Sequence, residues 1–325
     1  MESVYLSEID NINISSMSVF DRRDYLEQLK DYIIEYRTNL SLPSEVTFGV
    51  EIEYKGVDKS VLDDIIYNYP TYKSTEERNI QVGGELVSVP LRDDYMNWYD
   101  LKDILSVLDS LEGIEKDTGT GAHVHIGANI LKNYDNFIKF LLLYSIYEGV
   151  IYRFAYMNRC NPRETMISCA SPFSIDITND YPEFLEGKKC SEIRKMYDRF
   201  HGVNFTNLKS FNKYKDRNTI EFRMANGTFD PVLWQNIINL YSKMLLATHK
   251  ELDIDRLEYS MFRLNYDRNN HTGFDNYNID QAVEFVDIIF DNALDKTNFL
   301  KQYMKDDTET QTEYNVHICK KFTRS

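Results

Sequence analysis

The sequence predicts an α+β fold with an antiparallel sheet backed by helices, and three observations support this prediction. Short segments alternate apolar and polar residues, which is typical of strands with one buried face. Longer segments repeat apolar residues at helical spacing. The strands and helices do not alternate with the regular β-α-β rhythm of a parallel sheet, so an antiparallel sheet is favoured.

The first half of the chain predicts three strands and four helices. Residues 79–91 alternate as a strand would, but Gly83-Gly84 interrupts the segment and Pro90 ends it. Residues 97–112 carry a continuous apolar stripe, and residues 134–157 are apolar over a length that only a helix accounts for. The predicted helices are 18–38, 58–69, 97–112 and 134–157, and the predicted strands are 46–54, 79–91 and 119–127.

The second half is predicted to be less regular. Residues 160–195 contain turn signals and are expected to be mostly irregular. Two further strands are predicted in "RFHGVNF", residues 199–205, and in "NTIEFRMANGT", residues 218–228. Asp230 and Pro231 then have the chemistry of an N-cap and a first helical residue, so a helix should begin there. One strong helix is expected at 279–294, followed by a polar tail.

Composition limits the classes of function. The 325 residues are 42% hydrophobic and carry a net charge of −15, which argues against a nucleic-acid surface and an anionic membrane partner. No segment approaches the ~18 apolar residues of a membrane span, and the acidic N-terminus is unlike a signal peptide. The protein is therefore expected in the cytoplasm, with its four cysteines as free structural thiols.

The predicted strands carry ionisable groups where a solvated sheet would carry Thr, Ser and Lys. In "FGVEIEY", Glu51 and Glu53 share one face, and like charges so close repel each other unless something neutralises them. In "HVHI", His123 and His125 share one face, as do Thr219, Glu221 and Arg223 in "TIEFRM". Any one of these strands is compatible with a solvated face, whereas all three together indicate a site.

The chemistry that fits these residues is divalent cation binding beside an anion. Carboxylate oxygens are the preferred ligands of Mg²⁺ and Mn²⁺, and Mn²⁺ tolerates an imidazole. Arg223 and His125 are expected to hold anions, which together with bound cations would make a phosphoryl-transfer site. The predicted metal ligands are Glu51, Glu53, Glu85, His123 and Glu221.

A zinc-dependent hydrolase of an amide or phosphate bond is the main alternative, because His-x-His on a strand opens several zinc sites. Such a site needs further His or Cys ligands, of which only His201 is well placed, and the excess of Glu favours a hard cation. No phosphate-binding loop of the Gly-x-x-x-x-Gly-Lys-Ser/Thr type is present, so ATP would be held in another way. A non-catalytic binding protein is a third class, which the intact ligand set disfavours.

Five motifs together resemble the amidoligase family, carboxylate–amine ligases related to glutamine synthetase and glutamate–cysteine ligase. The resemblance covers residues 46–245, and each motif is short, but all five occur in the order typical of the family. The motifs are "FGVEIEY", "GGELVSVPL", "GAHVHIG", "RFHGVNF" and "TIEFRMANGTFDP".

The resemblance implies a fold, cofactors and residue roles. It implies a glutamine-synthetase-like catalytic fold with a curved antiparallel sheet, ATP, and two or more Mg²⁺ or Mn²⁺ ions. Glu53 and Glu85 would hold the metal near the acceptor carboxylate. Glu51, His123 and Glu221 would hold the metal that bridges the ATP phosphates. His125 and Asn204 would contact phosphate or substrate, and the catalytic cations would be Arg223, Arg217 and Arg199.

The resemblance also implies a reaction and a division of the chain. The γ-phosphoryl group of ATP would pass to a substrate carboxylate, and an amine would then displace phosphate from the acyl phosphate. Both substrates could be small molecules, peptides or protein side chains. The catalytic domain would be 46–250, with an N-terminal helical extension at 1–45 and a C-terminal helical extension at 251–325 that packs on the same domain.

Overall fold

A six-stranded antiparallel sheet is the centre of the computed structural model, which describes residues 12–77, 80–115, 119–159, 161–270 and 277–305. The spatial order is β2-β3-β1-β4-β6-β5, and the sheet is open. This confirms the predicted α+β class with an antiparallel sheet. The strands are β1 (Phe48–Lys55), β2 (Tyr72–Thr75), β3 (Gly83–Ser88), β4 (Gly121–Gly127), β5 (Val203–Asn204) and β6 (Thr219–Asn226).

The strand register aligns the ionisable residues across four neighbouring strands. Glu51 of β1 lies opposite His123 of β4, and Glu53 lies opposite Glu85 of β3. His125 lies opposite Glu221 of β6, and the pairing shifts by a bulge between residues 122 and 124. Residues opposite each other in an antiparallel pair project from the same face, so these side chains point to one side of the sheet.

Helices cover the apolar face of the sheet. The side chain of Phe222 on β6 packs edge-on against Phe140, with ring centroids 6.1 Å apart, and stacks on Tyr241 at 4.0 Å. The helices are α1 (Val19–Gln28), α2 (Lys59–Ile66), α3 (Tyr95–Ser110), α4 (Tyr134–Ala155), α5 (Met166–Cys169), α6 (Ser174–Leu185), α7 (Cys190–Met196), α8 (Pro231–Ala247), α9 (Ile254–Asn270), α10 (Ile279–Ile289) and α11 (Ala293–Tyr303). Phe140 and Tyr241 belong to α4 and α8, which are therefore the main supports of the sheet.

The predicted start of α8 is confirmed by its cap. The Asp230 side chain accepts a hydrogen bond from the backbone N–H of Val232 at 2.8 Å, and Pro231 occupies the first helical position. An N-cap carboxylate satisfies a helix donor that would otherwise lack a partner, and Pro sacrifices no hydrogen bond there. The sequence alone is enough to determine this boundary.

The helix predicted over 18–38 is wrong beyond Gln28. The following chain is held by tertiary hydrogen bonds: the backbone N–H of Arg37 donates to Gln235 at 2.8 Å, and those of Leu40 and Leu42 donate to Asp93 at 2.7 Å each. These donors serve distant side chains rather than an intrahelical ladder, so apolar spacing alone could not reveal the end of the helix.

Residues 160–195 are more regular than predicted, because they contain α5, α6 and α7. In α6 the buried side chains Ile177, Tyr181 and Phe184 are spaced as one helix face, and this spacing was readable despite Pro182 and many polar neighbours. The strand predicted at 199–205 shortens to two residues, and β2 and α9 were not predicted. The helix predicted at 279–294 ends at Ile289, and a separate helix, α11, follows it.

The terminal parts of the described chain pack on the central layers. Phe299 of α11 stacks on Phe154 of α4 with ring centroids 4.4 Å apart, and the Tyr25 hydroxyl of α1 lies 2.8 Å from the Thr297 hydroxyl. The division at residues 45 and 250 and the likeness to glutamine synthetase remain predictions. The polar tail predicted after residue 294 is helical up to Tyr303, within α11, and residues 306–325 lie outside the described residues. None of the helices in the described part of the chain is long and apolar enough to cross a membrane.

Candidate metal-binding and active site

His123 is the centre of a cluster that contains all four glutamates predicted as ligands. Its Nδ1 atom lies 3.0 Å from Glu51 Oε2, 3.8 Å from Glu85 Oε1 and 4.0 Å from Glu221 Oε1. Its Nε2 atom lies 3.5 Å from Glu53 Oε1. The five residues come from four adjacent strands, so the structure brings the whole predicted ligand set together.

The cluster offers two groups of three potential ligands that share Glu51. One group is Glu51, Glu85 and His123, and within it the ligand atoms lie within 4.8 Å of one another. The other is Glu51, His125 and Glu221, with the same spacing. His125, predicted to contact phosphate, thus lies beside potential ligands. Its Nε2 is 2.8 Å from Glu51 Oε1, and its Nδ1 is 3.1 Å from the Thr219 hydroxyl.

The side chains of His123 and Glu53 approach each other beside Gly121, with Nε2 and Oε1 3.5 Å apart. The buried Nε2 atom of His123 has no hydrogen-bond partner among the described residues. A Cβ atom placed on Gly121 would lie 2.9 Å from this Nε2, 3.1 Å from Glu53 Oε1 and 3.3 Å from the Arg163 guanidinium carbon. The backbone N–H of Gly121 donates to the other oxygen of Glu53 at 2.6 Å. The missing side chain of Gly121 therefore keeps open the space onto which a ligand nitrogen and a carboxylate converge.

The charges of the cluster shift the pKa values of its members in opposite directions. Burial raises the pKa of Glu51, but hydrogen bonds and charges from His123 and His125 lower it by more, so the pKa lies well below its ordinary range. Burial and the negative charge of Glu51 raise the pKa of Glu85 to about 9. Burial lowers the pKa of His125, but Glu51 and Glu221 raise it by more, and the net shift is upward. Glu85 therefore keeps its proton at neutral pH.

Two arginines border the cluster, and sequence reasoning found only one of them. Arg223 forms an ion pair with Glu221 and donates from Nε to the Cys169 carbonyl at 3.2 Å. Burial lowers the pKa of Arg223, but the charge of Glu221 raises it by more. Arg163 is almost fully buried and donates to the backbone carbonyls of Ala225 and Arg223. The sequence shows Arg163 only within the turn signal "NPRE", so nothing marked it as a site residue.

The other predicted site residues are dispersed. Asn204 is buried and donates to Glu221 Oε2 at 2.7 Å, so it contacts the cluster through a predicted ligand. Arg199 is exposed and lies over the Phe200 ring at 5.2 Å, and Arg217 is exposed in the turn before β6. His201, the candidate zinc ligand, lies against the Phe173 ring and 3.2 Å from the Ser171 hydroxyl.

Supporting contacts to the cluster also escaped sequence analysis. The Thr75 hydroxyl lies 3.3 Å from Glu85 Oε2, and it belongs to β2, which was not predicted. Of the cysteines, Cys169 is a free thiol that touches the site through its carbonyl, and Cys190 is a free thiol elsewhere. Cys160 and Cys319 lie outside the described residues. Only the tertiary structure brings Thr75 and the Cys169 carbonyl to the cluster, because the residues next to them in sequence show no pattern that predicts a site.

The arrangement fits a hard divalent cation. Carboxylates outnumber imidazoles in the ligand groups, as Mg²⁺ and Mn²⁺ prefer. Buried acids at these distances are costly unless protons or cations neutralise them, and the unpartnered nitrogen of His123 is the atom that a cation would satisfy. The hydrogen bond from Asn204 to Glu221 orients this ligand from outside the ligand groups, as in protein metal centres.

These observations define a polar, acid-lined site on the face of the antiparallel sheet opposite α4 and α8. A family model described as "Putative amidoligase enzyme" matches residues 57–245, more than half of the chain. The chain belongs to this amidoligase family. The match contains β3, β4 and β6 with their site residues, and it begins just after β1, which carries Glu51 and Glu53. No curated protein matches the chain.

Proposed function

We propose that the protein is an ATP-dependent and Mg²⁺- or Mn²⁺-dependent ligase that joins a carboxylate to an amine through an acyl phosphate. The observation that carries this proposal is the convergence of Glu51, Glu53, Glu85 and Glu221 on His123 in a member of the amidoligase family. We further propose that the sheet is the catalytic sheet of a glutamine-synthetase-like domain spanning residues 46–250, flanked by extensions at 1–45 and 251–325.

The two ligand groups define how the cations would be held. Glu51, Glu85 and His123 would hold one cation and Glu51 with Glu221 a second, while Glu53 faces the other ring nitrogen of His123, Nε2, at 3.5 Å. Bound there, the cations would neutralise phosphate oxygens and polarise the acceptor carboxylate. The shared ligand Glu51 makes binding at the two positions interdependent.

The protein groups around the cations would orient the reactants. Arg223 is fixed by Glu221 and by the Cys169 carbonyl, so its guanidinium is a preorganised positive charge beside the cluster. Preorganised cations stabilise charge that spreads over a transferring phosphoryl group. His125 has an upward-shifted pKa and contacts Glu51 and Thr219, so the predicted phosphate contact would replace one of these two hydrogen bonds. Roles for Asn204 at phosphate, and for Arg199 and Arg217 in catalysis, remain predictions.

The chemistry requires two activations. A carboxylate is a poor electrophile, and transfer of the γ-phosphoryl group from ATP to its oxygen creates a good leaving group. The attacking ammonium must first lose a proton, and one of the cluster carboxylates is the expected base. The carbonyl carbon then gains the amine nitrogen and loses inorganic phosphate, which yields an amide, ADP and phosphate.

The deciding experiment measures ADP release from ATP and Mg²⁺ with pools of amino acids, amines and short peptides, for wild type, Glu51→Gln and Glu112→Gln. Glu51→Gln should reduce turnover at least about 100-fold, because it removes the shared ligand without changing side-chain size. Glu112 is exposed in the turn after α3 and belongs to no site strand, so its variant should retain wild-type turnover. Equal, substrate-dependent ADP release by Glu51→Gln would refute the ligand assignment.

One observation favours a second candidate, a zinc-dependent hydrolase. His125 and His123 lie 2.8 and 3.0 Å from different oxygens of Glu51, and each belongs to its own group of three potential ligands, so each group offers the imidazole and carboxylate ligands that zinc accepts. His201 does not extend this set, because it contacts Ser171 and Phe173 instead. Stoichiometric zinc in the purified protein, with amide or phosphate hydrolysis that needs no ATP, would select the hydrolase.

A further inference from the structure

A cavity of about 640 Å³, separate from the cluster, is lined mainly by basic side chains, although the protein as a whole is acidic. We call it the basic cavity, and among the described residues no acid lines it. Its remaining lining is two aromatic rings and two small polar side chains. The lining residues are Tyr134, Lys188, Lys189, Cys190, Ser191, Arg194, Lys209, Phe211 and Lys215.

Most of this positive charge is not neutralised. Lys188 pairs with Glu183 at 2.7 Å, at the rim. The Lys209 ammonium donates to the Asp216 backbone carbonyl at 2.6 Å, which positions it without cancelling its charge. Within the described chain, no salt bridge joins Lys189, Arg194 or Lys215 to an acid. The buried Nε atom of Arg194 also lacks a hydrogen-bond partner in that part of the chain. Buried donors without partners are uncommon, and Arg194 also lines the cavity, where its positive charge would attract an anionic oxygen.

The loop that carries Lys209 and Lys215 is held in place by side-chain hydrogen bonds. The buried side chain of Asn218 accepts hydrogen bonds from the backbone N–H groups of Lys209 and Ser210 at 2.7 and 3.0 Å. Its amide donates to the carbonyls of Ser210 and Lys213 at 2.9 and 3.1 Å. Phe211 packs against Tyr134 on α4, with ring centroids 5.8 Å apart. The lysines therefore project from a fixed framework, which lowers the entropic cost of binding a ligand.

The same loop is anchored at both ends to the candidate active site. It follows Asn204, whose side chain donates to Glu221, and it leads into Thr219, whose hydroxyl lies 3.1 Å from His125. The loop comprises the 14 residues between these two anchors, 205–218; Lys209 follows Asn204 by five residues and Lys215 precedes Thr219 by four, so the chain keeps both lysines within about 18 Å of residues that contact the cluster. A substrate held in the basic cavity would extend along this loop toward the ligands.

We propose that the basic cavity binds anionic groups of the substrate, carboxylate or phosphate, that are remote from the carboxylate being activated. The assignment of the ligand as a substrate rests on the proposed ligase function, whereas the anion site itself does not. The cavity accordingly favours substrates that carry negative charge in addition to the carboxylate being activated. The aromatic rings of Tyr134 and Phe211 give such a ligand an apolar wall.

Binding is tested by calorimetry in metal-free buffer at about 50 mM salt, where surface charges are only partly screened. The probes are tri-L-glutamate for carboxylates and inorganic tripolyphosphate for phosphates. The test variant is Lys209→Gln with Lys215→Gln. The matched control is Lys195→Gln with Lys213→Gln, which removes the same charge from α7 and the same loop but outside the lining.

We expect the test variant to weaken the Kd of the preferred probe about tenfold or more, and the control to change it less than about twofold. Preference for tri-L-glutamate identifies carboxylates as the ligand chemistry, and preference for tripolyphosphate identifies phosphates. Equal weakening in both variants shows only general surface attraction and overturns the proposal. Failure of the wild type to bind either probe below about 10 mM overturns it as well.

Activity separates this proposal from the proposed function. With an acidic substrate that supports ADP release, the test variant should raise KM at least about fivefold and keep kcat, since the cavity binds the ground state and transition state alike. Probe binding without ADP release under any substrate pool would support the anion site and count against the ligase. ADP release with an unchanged KM in the test variant would support the ligase and refute the role of the cavity in substrate binding.

Discussion

At the scale of single residues, the spacing around His123 depends on the absence of a side chain at Gly121. Gly121 has an ordinary strand conformation, so backbone freedom does not explain why glycine occupies this position. The explanation is space: any Cβ would press against His123 Nε2 and Glu53 Oε1. Gly49, on the neighbouring strand, is different, because a Cβ there would make only ordinary contacts of 3.7 Å.

Gly121→Ala should therefore lose metal binding while Gly49→Ala retains it. The added methyl group occupies the space between two proposed ligands, and we expect about tenfold or more weaker Mn²⁺ binding. Titration of Mn²⁺ followed by electron paramagnetic resonance measures the affinity, and circular dichroism checks that both variants fold. Equal Mn²⁺ affinity in the two variants would contradict a dependence of cation binding on the spacing of His123 and Glu53.

Glu85 should release a proton when a cation binds. Its pKa is raised to about 9, so at pH 7.5 the folded protein keeps this carboxyl protonated, whereas a metal ligand must be ionised. The affinity for Mn²⁺ should consequently increase as the pH rises toward about 9. Above that pH Glu85 is already ionised, so metal binding should release less of its proton. Mn²⁺ calorimetry in two buffers of different ionisation enthalpy measures the released proton. Glu85→Gln is the control without that proton, and identical heats in both buffers for the wild type would refute the prediction.

At the scale of elements, the sheet order explains why motifs far apart in sequence form one site. β4 lies between β1 and β6, so His123 and His125 face carboxylates on both sides. The site is rigid because α4 and α8 pack on the other face of the sheet, through Phe140 and Tyr241. The family match ends at residue 245, but α11 continues this support, since Phe299 stacks on Phe154 of α4.

Phe299→Ala should reduce the free energy of unfolding by about 3–5 kcal/mol, the usual cost of removing a buried aromatic ring. Phe299 is 2% exposed, whereas Tyr259 on α9 is 67% exposed. Tyr259→Ala is therefore the matched control, with an expected change within about 0.5 kcal/mol. Urea unfolding measures both values. If Phe299→Ala changes the free energy of unfolding by less than about 1 kcal/mol, then α11 does not stabilise α4 and the sheet that α4 supports.

At the scale of the whole molecule, the described N-terminal and C-terminal segments are joined to each other. The Arg37 guanidinium pairs with the buried Asp295 carboxylate at 2.8 Å, and the Lys296 ammonium pairs with Asp287 at 2.8 Å. Asp287 also accepts hydrogen bonds from the backbone of Ile14 and Ser15. The N-terminal and C-terminal extensions proposed from the sequence thus contact each other, and the C-terminal extension also packs on α4.

This connectivity predicts one cooperative unfolding transition. Trp98 and Trp234 are buried in α3 and α8, so their fluorescence reports the central layers, whereas circular dichroism reports all helices, including α10 and α11. The two signals should change at the same urea concentration if the helices unfold together. A separate transition seen by circular dichroism alone would show that the C-terminal helices form an independent unit.

Sequence patterns predicted those parts of the site whose signal is local. Glu51, Glu53, His123 and Glu221 were found because strand alternation places them against apolar neighbours, and Asp230 was found because capping depends on adjacent residues. Arg163, Thr75 and Gly121 escaped because their importance depends on which distant atoms they meet. Arg199 was predicted as a catalytic cation, but the structure places it on the surface over Phe200.

By itself, the sequence determined the α+β class, the polar face of each site strand and the chemical type of the ligand set. Only the tertiary structure decided the strand order, the spacing around His123 and the basic cavity beside the site. The physical reason is the range of the interactions. Side-chain alternation and helix caps act over a few neighbouring residues, whereas strand pairing, burial and electrostatic coupling join residues far apart in the chain.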